Sequence, residues 1–126
     1  MTPEANAYEY QDQEVHYLLI ALEEETDIQR VKASVDQYLR ASYPDLRYRI
    51  TSFSLTAEEK SVVMLRRFSD ASSAVKLYRA MQIDRNNVFE SVDSATIYPI
   101  GHTNYQRLLD GGSLQEYDAF FKSRYL

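Results

Sequence analysis

The stretch that decides the fold is Val15 to Leu22, which reads Val-His-Tyr-Leu-Leu-Ile-Ala-Leu. Its apolar residues fall on both alternating faces, which is typical of a strand in the middle of a sheet. The run is too short to span a bilayer, which takes about 20 apolar residues. The acidic triplet Glu23-Glu24-Glu25 ends it. We therefore expect a central β-strand that begins a compact α+β unit.

The segment that follows this strand carries a helical pattern and then a strand pattern. Thr26 or Asp27 can act as a helix N-cap, and apolar residues then recur at helical spacing until Pro44 interrupts them. A strand is predicted over Arg47 to Leu55. Its apolar residues change phase along its length, which indicates a bulge or a twist near Ser52.

The second half of the sheet repeats this order. After the polar connection Thr56 to Lys60, a strand with apolar residues on both faces runs from Ser61 to Phe68. Ser69 or Asp70 caps the next helix, and Ala95 to Ile100 is the predicted fourth strand. The order β-α-β-β-α-β is the ferredoxin-like arrangement, with two helices on one face of a four-stranded antiparallel sheet. Strands one and three are central in this arrangement, and both carry apolar residues on both faces. The second face of the sheet must therefore be covered by the C-terminal segment, a second copy or a partner.

The chain is expected to form a single α+β domain over residues 14–126, preceded by a flexible leader over 1–13. A length of 126 residues with 44% hydrophobic residues fits one domain with a substantial core. The leader has no charged start followed by an apolar stretch, so it is not a signal peptide. At the other end, Gly111-Gly112 terminates a short helix and Ser113 caps a last one, which gives a helical extension over 101–126.

Composition excludes several classes of function. The net charge of −5 argues against nucleic acid and anionic membrane as partners, because both require a basic footprint. The absence of cysteine excludes disulfides, thiolate catalysis and cysteine-ligated metals. The two histidines, His16 and His102, are too few for a predicted metal site. The runs Glu23-Glu24-Glu25 and Glu58-Glu59 are interpreted as solvated charge. We predict neither a cofactor nor an enzymatic activity.

Two surface patches are candidates for binding a protein partner. Arg66 and Arg67, beside Phe68, form a basic and aromatic spot at the end of a central strand. The second patch is an aromatic C-terminal end, in a chain with 11 tyrosines and no tryptophan. On a helix, Phe120 and Phe121 are about 100° apart, so one is expected in the core and its neighbour at a partner. The alternative is that all of these aromatics belong to the core. This second patch comprises Tyr105, Tyr117, Phe120, Phe121 and Tyr125.

The C-terminal stretch also carries a family resemblance. Tyr98 to Leu126 contains Tyr-Pro-Ile-Gly-His-Thr-Asn-Tyr-Gln-Arg-Leu-Leu and then Leu-Gln-Glu-Tyr-Asp-Ala-Phe-Phe-Lys-Ser-Arg-Tyr-Leu. This pattern resembles the C-terminal domain of large Bacteroidetes tetratricopeptide-repeat lipoproteins of the PorW and SprE type, which serve type IX secretion and gliding motility. The resemblance implies a periplasmic fragment of an outer-membrane-anchored scaffold, with envelope secretion and motility proteins as partners and no direct membrane insertion.

Two alternatives remain open from the sequence, and a third class that shares the topology is disfavoured. A peptidoglycan-binding module of the SPOR type shares the expected topology. So does a small dimeric ligand-binding protein or enzyme with a pocket between sheet and helices. Independently of these alternatives, a homodimer through the open sheet face is a further expected partner arrangement. RNA-recognition domains also share the topology, but Val63 and Leu65 stand where their base-stacking aromatics are expected. A cytoplasmic location is left open by the missing signal peptide.

Overall fold

The computed structural model describes residues 8–89, 92 and 94–125. The described residues contain four strands and five helices, and the sequence predicts all of them in this order except the short helix Arg85–Val88. The elements are β1 (His16–Glu23), α1 (Ile28–Ser42), β2 (Arg49–Leu55), a 3-10 turn (Thr56–Glu58), β3 (Lys60–Phe68), α2 (Ala71–Ile83), α3 (Arg85–Val88), β4 (Thr96–Gly101), α4 (His102–Leu109) and α5 (Leu114–Arg124).

The four strands form one antiparallel sheet in the order β2-β3-β1-β4. This order places β1 and β3 in the centre, as the βαββαβ sequence of elements requires. Helix α1 packs on β2 and β3, and α2 packs on β1 and β4. The prediction of an α+β, ferredoxin-like domain with additional C-terminal helices is therefore confirmed.

Both central strands are buried on both faces. Every residue of β1 from His16 to Leu22 is buried, and so is β3 from Ser61 to Leu65. The two helices begin where the sequence predicts, because Asp27 accepts a hydrogen bond from the Arg30 backbone N–H and Asp70 accepts one from that of Ser73. The strongest sequence signal, apolar residues at consecutive strand positions, thus marks the middle of the core.

The second sheet face is covered by the chain's own C-terminal helices. The pairing register puts Tyr17, Phe53 and Tyr98 on one face of the sheet. Tyr105 of α4 contacts the first two rings, and Phe121 of α5 contacts that of Tyr98. The open sheet face predicted as a homodimer interface is therefore occupied by α4 and α5.

The predicted bulge in β2 is wrong. Pairing between β2 and β3 is regular from Arg49 opposite Arg66 to Leu55 opposite Lys60. The apolar residues of β2 lie on both faces because both faces of the sheet are covered. The irregularity lies instead between β3 and β1, where Arg66 and Arg67 together oppose Tyr17.

The N-terminal segment from Tyr8 onward lies against the domain, although the sequence places it in a flexible leader. Tyr8 is buried and its hydroxyl donates to the Ser113 carbonyl at 2.9 Å. The Glu9 backbone exchanges two hydrogen bonds with the Asn104 side chain, at 2.9 and 2.7 Å. The packed unit thus includes residues 8–13. Residues 1–7 of the predicted leader lie outside the described residues.

Candidate functional site

The structure separates the seven predicted partner-binding residues into two groups. Arg66, Arg67 and Tyr105 lie around Tyr17 at one end of the sheet. The other four lie on α5 or at its end; three of them pack with Tyr8 or Tyr98, and Tyr125 packs with Tyr10 and His16. These four are Tyr117, Phe120, Phe121 and Tyr125.

The α5 group is part of the core. Tyr117 has no exposed surface, Phe121 is 3% exposed and Tyr125 is 9% exposed. The Tyr117 hydroxyl donates to the Pro99 carbonyl at 2.5 Å. Phe120 is partly buried, with its ring 6.0 Å from that of Tyr8. Assigning Tyr117, Phe121 and Tyr125 to a partner surface was therefore wrong, because no face of these side chains is left for a partner.

The phenols of this core are held in the neutral form. Burial raises the pKa of Tyr117 well above its ordinary value of 10.0. Burial, followed by the hydrogen bond to Asp118, also raises the pKa of Tyr98. Burial and the nearby Glu116 and Glu58 carboxylates raise the pKa of Tyr8 to about 12. These hydroxyls therefore act as hydrogen-bond donors within the core at physiological pH.

A buried polar cluster surrounds His16, at the end of the sheet where Tyr17 also lies. Its Nδ1 lies 2.9 Å from the Glu14 carbonyl oxygen, which can only accept a hydrogen bond, so Nδ1 carries a proton. In the neutral ring Nε2 then accepts from the Tyr125 hydroxyl at 2.7 Å. Thr103 donates to the Glu14 carboxylate at 2.6 Å. Both ring nitrogens of His16 are engaged inside the protein, so this cluster orders the core.

The first group of predicted residues forms an exposed patch. The Arg66 guanidinium lies over the Tyr17 ring, 5.5 Å from its centroid. The Tyr105 ring lies 5.2 Å from that of Tyr17 and 6.0 Å from that of Phe53. Arg49 alternates along β2 onto the same face as Phe53 and stands opposite Arg66. We call Tyr17, Arg49, Phe53, Arg66 and Tyr105 the basic–aromatic patch.

The two arginines of this patch, and Arg67 next to it, have no carboxylate partner within the described residues. Arg49, Arg66 and Arg67 are exposed, and within the described part of the chain none of them pairs with a carboxylate. Like charges directly opposite each other on neighbouring strands destabilise a sheet. The bulge also concentrates positive charge, because it places the two consecutive arginines Arg66 and Arg67 opposite the single β1 residue Tyr17. In a chain of net charge −5, the three arginines form a local excess of positive charge.

Sequence reasoning missed Tyr17, Arg49 and Phe53 as parts of the patch. The signal was present in the hairpin, because pairing Leu55 with Lys60 across the short turn automatically brings Arg49 opposite Arg66.

Sequence reasoning also missed the role of Glu58, which was interpreted as solvated charge. Glu58 accepts the Leu114 backbone N–H at 2.9 Å and that of Gln115 at 3.3 Å, at the N-terminus of α5.

His102 lies beside the patch and not in a metal site. It is exposed, and its Nδ1 lies 2.8 Å from the Tyr17 hydroxyl. Among residues 8–89, 92 and 94–125, no three His, Cys, Asp or Glu side chains come together in a way that could hold a metal ion. His16 and His102 thus have separate structural partners.

A groove of about 590 Å³ lies elsewhere on the molecule. It runs between the N-terminal half of α1 and the segment that follows α3, and Val31, Val88 and Phe89 form its apolar floor. Glu23, Asp27 and Arg30 are among the charged residues that line it. None of the predicted site residues lines this groove.

Comparison of the chain with models of known protein families, with curated proteins and with solved structures finds no match. Among the described residues, no helix combines the length and the apolar character needed to cross a bilayer.

Proposed function

We propose that this chain is a non-enzymatic protein-interaction module that docks its partner on the basic–aromatic patch. The observation that carries the proposal is the geometry of Arg66, which is exposed, lies 5.5 Å from the centre of the Tyr17 ring and has no carboxylate partner among the described residues. Arginine and tyrosine are the residue types that dominate the binding energy of protein interfaces. The patch combines both on a rigid sheet.

The rigidity of the patch favours binding. Tyr17 is buried to 4% exposure and its hydroxyl is tied to His102, so the ring that supports Arg66 cannot reorient freely. A side chain that is already ordered loses less conformational entropy when a partner arrives. The stacked guanidinium still presents its N–H groups, which suit the two oxygens of a carboxylate.

The finer proposal is that the chain is the C-terminal domain of a periplasmic scaffold lipoprotein of type IX secretion and gliding motility. The support for it is the resemblance of Tyr98 to Leu126, together with a fold in which that stretch contributes a strand and two helices. The Tyr-x-x-Phe-Phe pattern consists of Tyr117, Phe120 and Phe121, which pack in or against the core of this fold. The pattern therefore supports a type of domain and not a partner-binding surface. The partners would then be envelope proteins of the secretion and motility machinery.

The test is quantitative affinity capture from cells that make the protein natively, with the tagged chain as bait. The informative bait is Arg49→Ala/Arg66→Ala, which removes two exposed charges of the patch. The matched control is Arg30→Ala/Arg79→Ala, which removes two exposed arginines from α1 and α2 and changes the net charge equally. Circular dichroism verifies that each bait is folded.

We expect specific proteins to be captured by the wild type and the control bait but not by the patch variant. Recovery of secretion or motility components would support the finer proposal as well. Equal capture by all three baits would overturn the patch as the docking surface. Binding to purified peptidoglycan sacculi without any captured protein would favour the SPOR-like alternative instead.

A further inference from the structure

One edge of the sheet is open and the other is closed. Strand β4 forms one edge, where Pro99 has no N–H and its carbonyl oxygen is occupied by the Tyr117 hydroxyl. Strand β2 forms the other edge. Among the described residues, its backbone is hydrogen-bonded only to β3. Its outward-facing N–H and C=O groups therefore form a template for a further strand.

The side chains of β2 are also incompletely covered. Ile50 is half-buried on one face, and Phe53 and Leu55 are half-buried on the other. Proteins commonly protect an edge with proline, lysine, a bulge or a covering element. Strand β2 reads Arg-Ile-Thr-Ser-Phe-Ser-Leu and pairs regularly with β3, so proline, lysine and bulge are missing from it, and its one charged residue, Arg49, stands at the start of the strand. An added strand would complete the burial of its apolar residues.

We infer that the partner docks as an extended acidic segment that adds to β2 as a fifth strand. The inference rests on the proposed function, which it deepens by naming the chemistry of the partner. Backbone hydrogen bonds to β2 would supply affinity, and alternate side chains of the segment would supply specificity. An acidic side chain of the segment lies beside Arg49, and apolar ones lie beside Phe53 and Leu55.

Charge argues for such a segment over a second copy of this chain. Two copies paired through β2 would bring together two identical seven-residue strands that contain no acidic residue. Arg49 and Arg66 would remain without a carboxylate in that dimer. An acidic strand neutralises Arg49 and thereby relieves the like-charge repulsion between Arg49 and Arg66 across β2 and β3.

The probe is a library of random nonapeptides displayed for selection on the tagged chain. We expect the enriched peptides to contain an acidic residue at a spacing of four or six from apolar ones, which matches the separation of Arg49 from Phe53 and Leu55 along β2. Binding of a selected peptide should slow hydrogen exchange at β2 amides. N-methylation of its alternate backbone amides should weaken binding at least about tenfold, because a methylated amide cannot donate to β2.

Charge reversal supplies the second arm. Arg49→Glu/Arg66→Glu should weaken the selected peptides by at least about tenfold, whereas Arg30→Glu/Arg79→Glu should not. Peptides that bind at the patch but tolerate N-methylation would overturn strand addition and leave the proposed function standing. Peptides that ignore both arginine pairs would overturn the inference and count against the patch itself. Concentration-dependent dimerisation with protection at β2 would also overturn it, in favour of a second copy.

Discussion

The imidazole of His16 and the hydroxyl of Tyr125 lie 2.7 Å apart although 109 residues separate them in the chain. This contact joins the first residue of the central strand to the end of the last helix. Nδ1 of His16 donates to the Glu14 carbonyl, and Nε2 accepts from the Tyr125 hydroxyl. In the described structure Tyr125 is therefore the only donor to the His16 ring. The two ends of the domain are therefore linked through one buried side chain.

Tyr125→Phe should lower the free energy of unfolding by about 1–3 kcal/mol, because it leaves a buried ring nitrogen without a partner. Urea unfolding followed by circular dichroism measures the change. Tyr10→Phe is the matched control, since Tyr10 is 39% exposed and its hydroxyl makes no hydrogen bond in the described structure. Equal stability of the two variants would contradict a stabilising role for the Tyr125 hydroxyl.

Glu58→Ala should destabilise the protein by about 0.5–2 kcal/mol. The Glu58 carboxylate binds the Leu114 and Gln115 N–H groups, where the positive end of the α5 dipole favours a negative charge. Hydrogen exchange at the first turn of α5 should speed up more than exchange in β1. Glu59→Asn is the control: it removes the neighbouring charge and still suits the left-handed backbone at φ 54°. Equal effects of both variants would argue against the cap.

The sequence predicted the sheet well because its signals are local. Apolar residues at successive positions of β1 and β3 identify central strands, and Asp27 and Asp70 act as caps through contacts three residues away. The relation between Phe120 and Phe121 was also predicted, since helical geometry alone separates two consecutive side chains. Phe121 is buried and Phe120 only partly so.

The site was harder to predict because its contacts are long-range. Whether Tyr117 faces a partner or the core depends on where α5 lies on the sheet, which no local pattern determines. Glu58 looks like a solvated turn residue until the N-terminus of α5 is placed beside it. Arg66 was identified from its position at the end of a central strand, but its stacking on Tyr17 requires the β1 to β3 register and the bulge within it.

Gly101→Ala should destabilise the protein by about 1 kcal/mol, the low end of the cost of overpacking, because the closest atom is the end of the flexible Glu14 side chain. A Cβ atom at this position would lie 2.5 Å from Glu14 Oε2 and 3.2 Å from His16 Cε1. The Gly101 backbone, at φ −75° and ψ 158°, suits any residue, so the cost arises from the contact and not from the backbone.

A double-mutant cycle with Glu14→Ala tests this explanation. Removing the Glu14 carboxylate makes space for the new methyl group, so Gly101→Ala should cost less in the Glu14→Ala background than in the wild type. The free energy of unfolding of the four proteins gives the coupling directly. Strict additivity of the two substitutions would show that the Glu14 contact is not the source of the cost.

Stability should fall as the pH rises from 10 to 12. The folded-state pKa of Tyr8 is raised from 10.0 to about 12, chiefly by burial and then by Glu116 and Glu58. Below pH 10 the phenol is neutral in both states, so its contribution to stability is fully present. Between pH 10 and 12 the unfolded chain loses the proton first, which favours unfolding by up to about 1.4 kcal/mol per pH unit for one proton. Tyr8→Phe should therefore reduce the slope of unfolding free energy against pH in this range.

Val75→Ala is the control, because it removes half-buried methyl groups and no titrating group. It should lower the unfolding free energy at every pH without changing the slope. An unchanged slope in Tyr8→Phe would contradict the raised pKa of Tyr8.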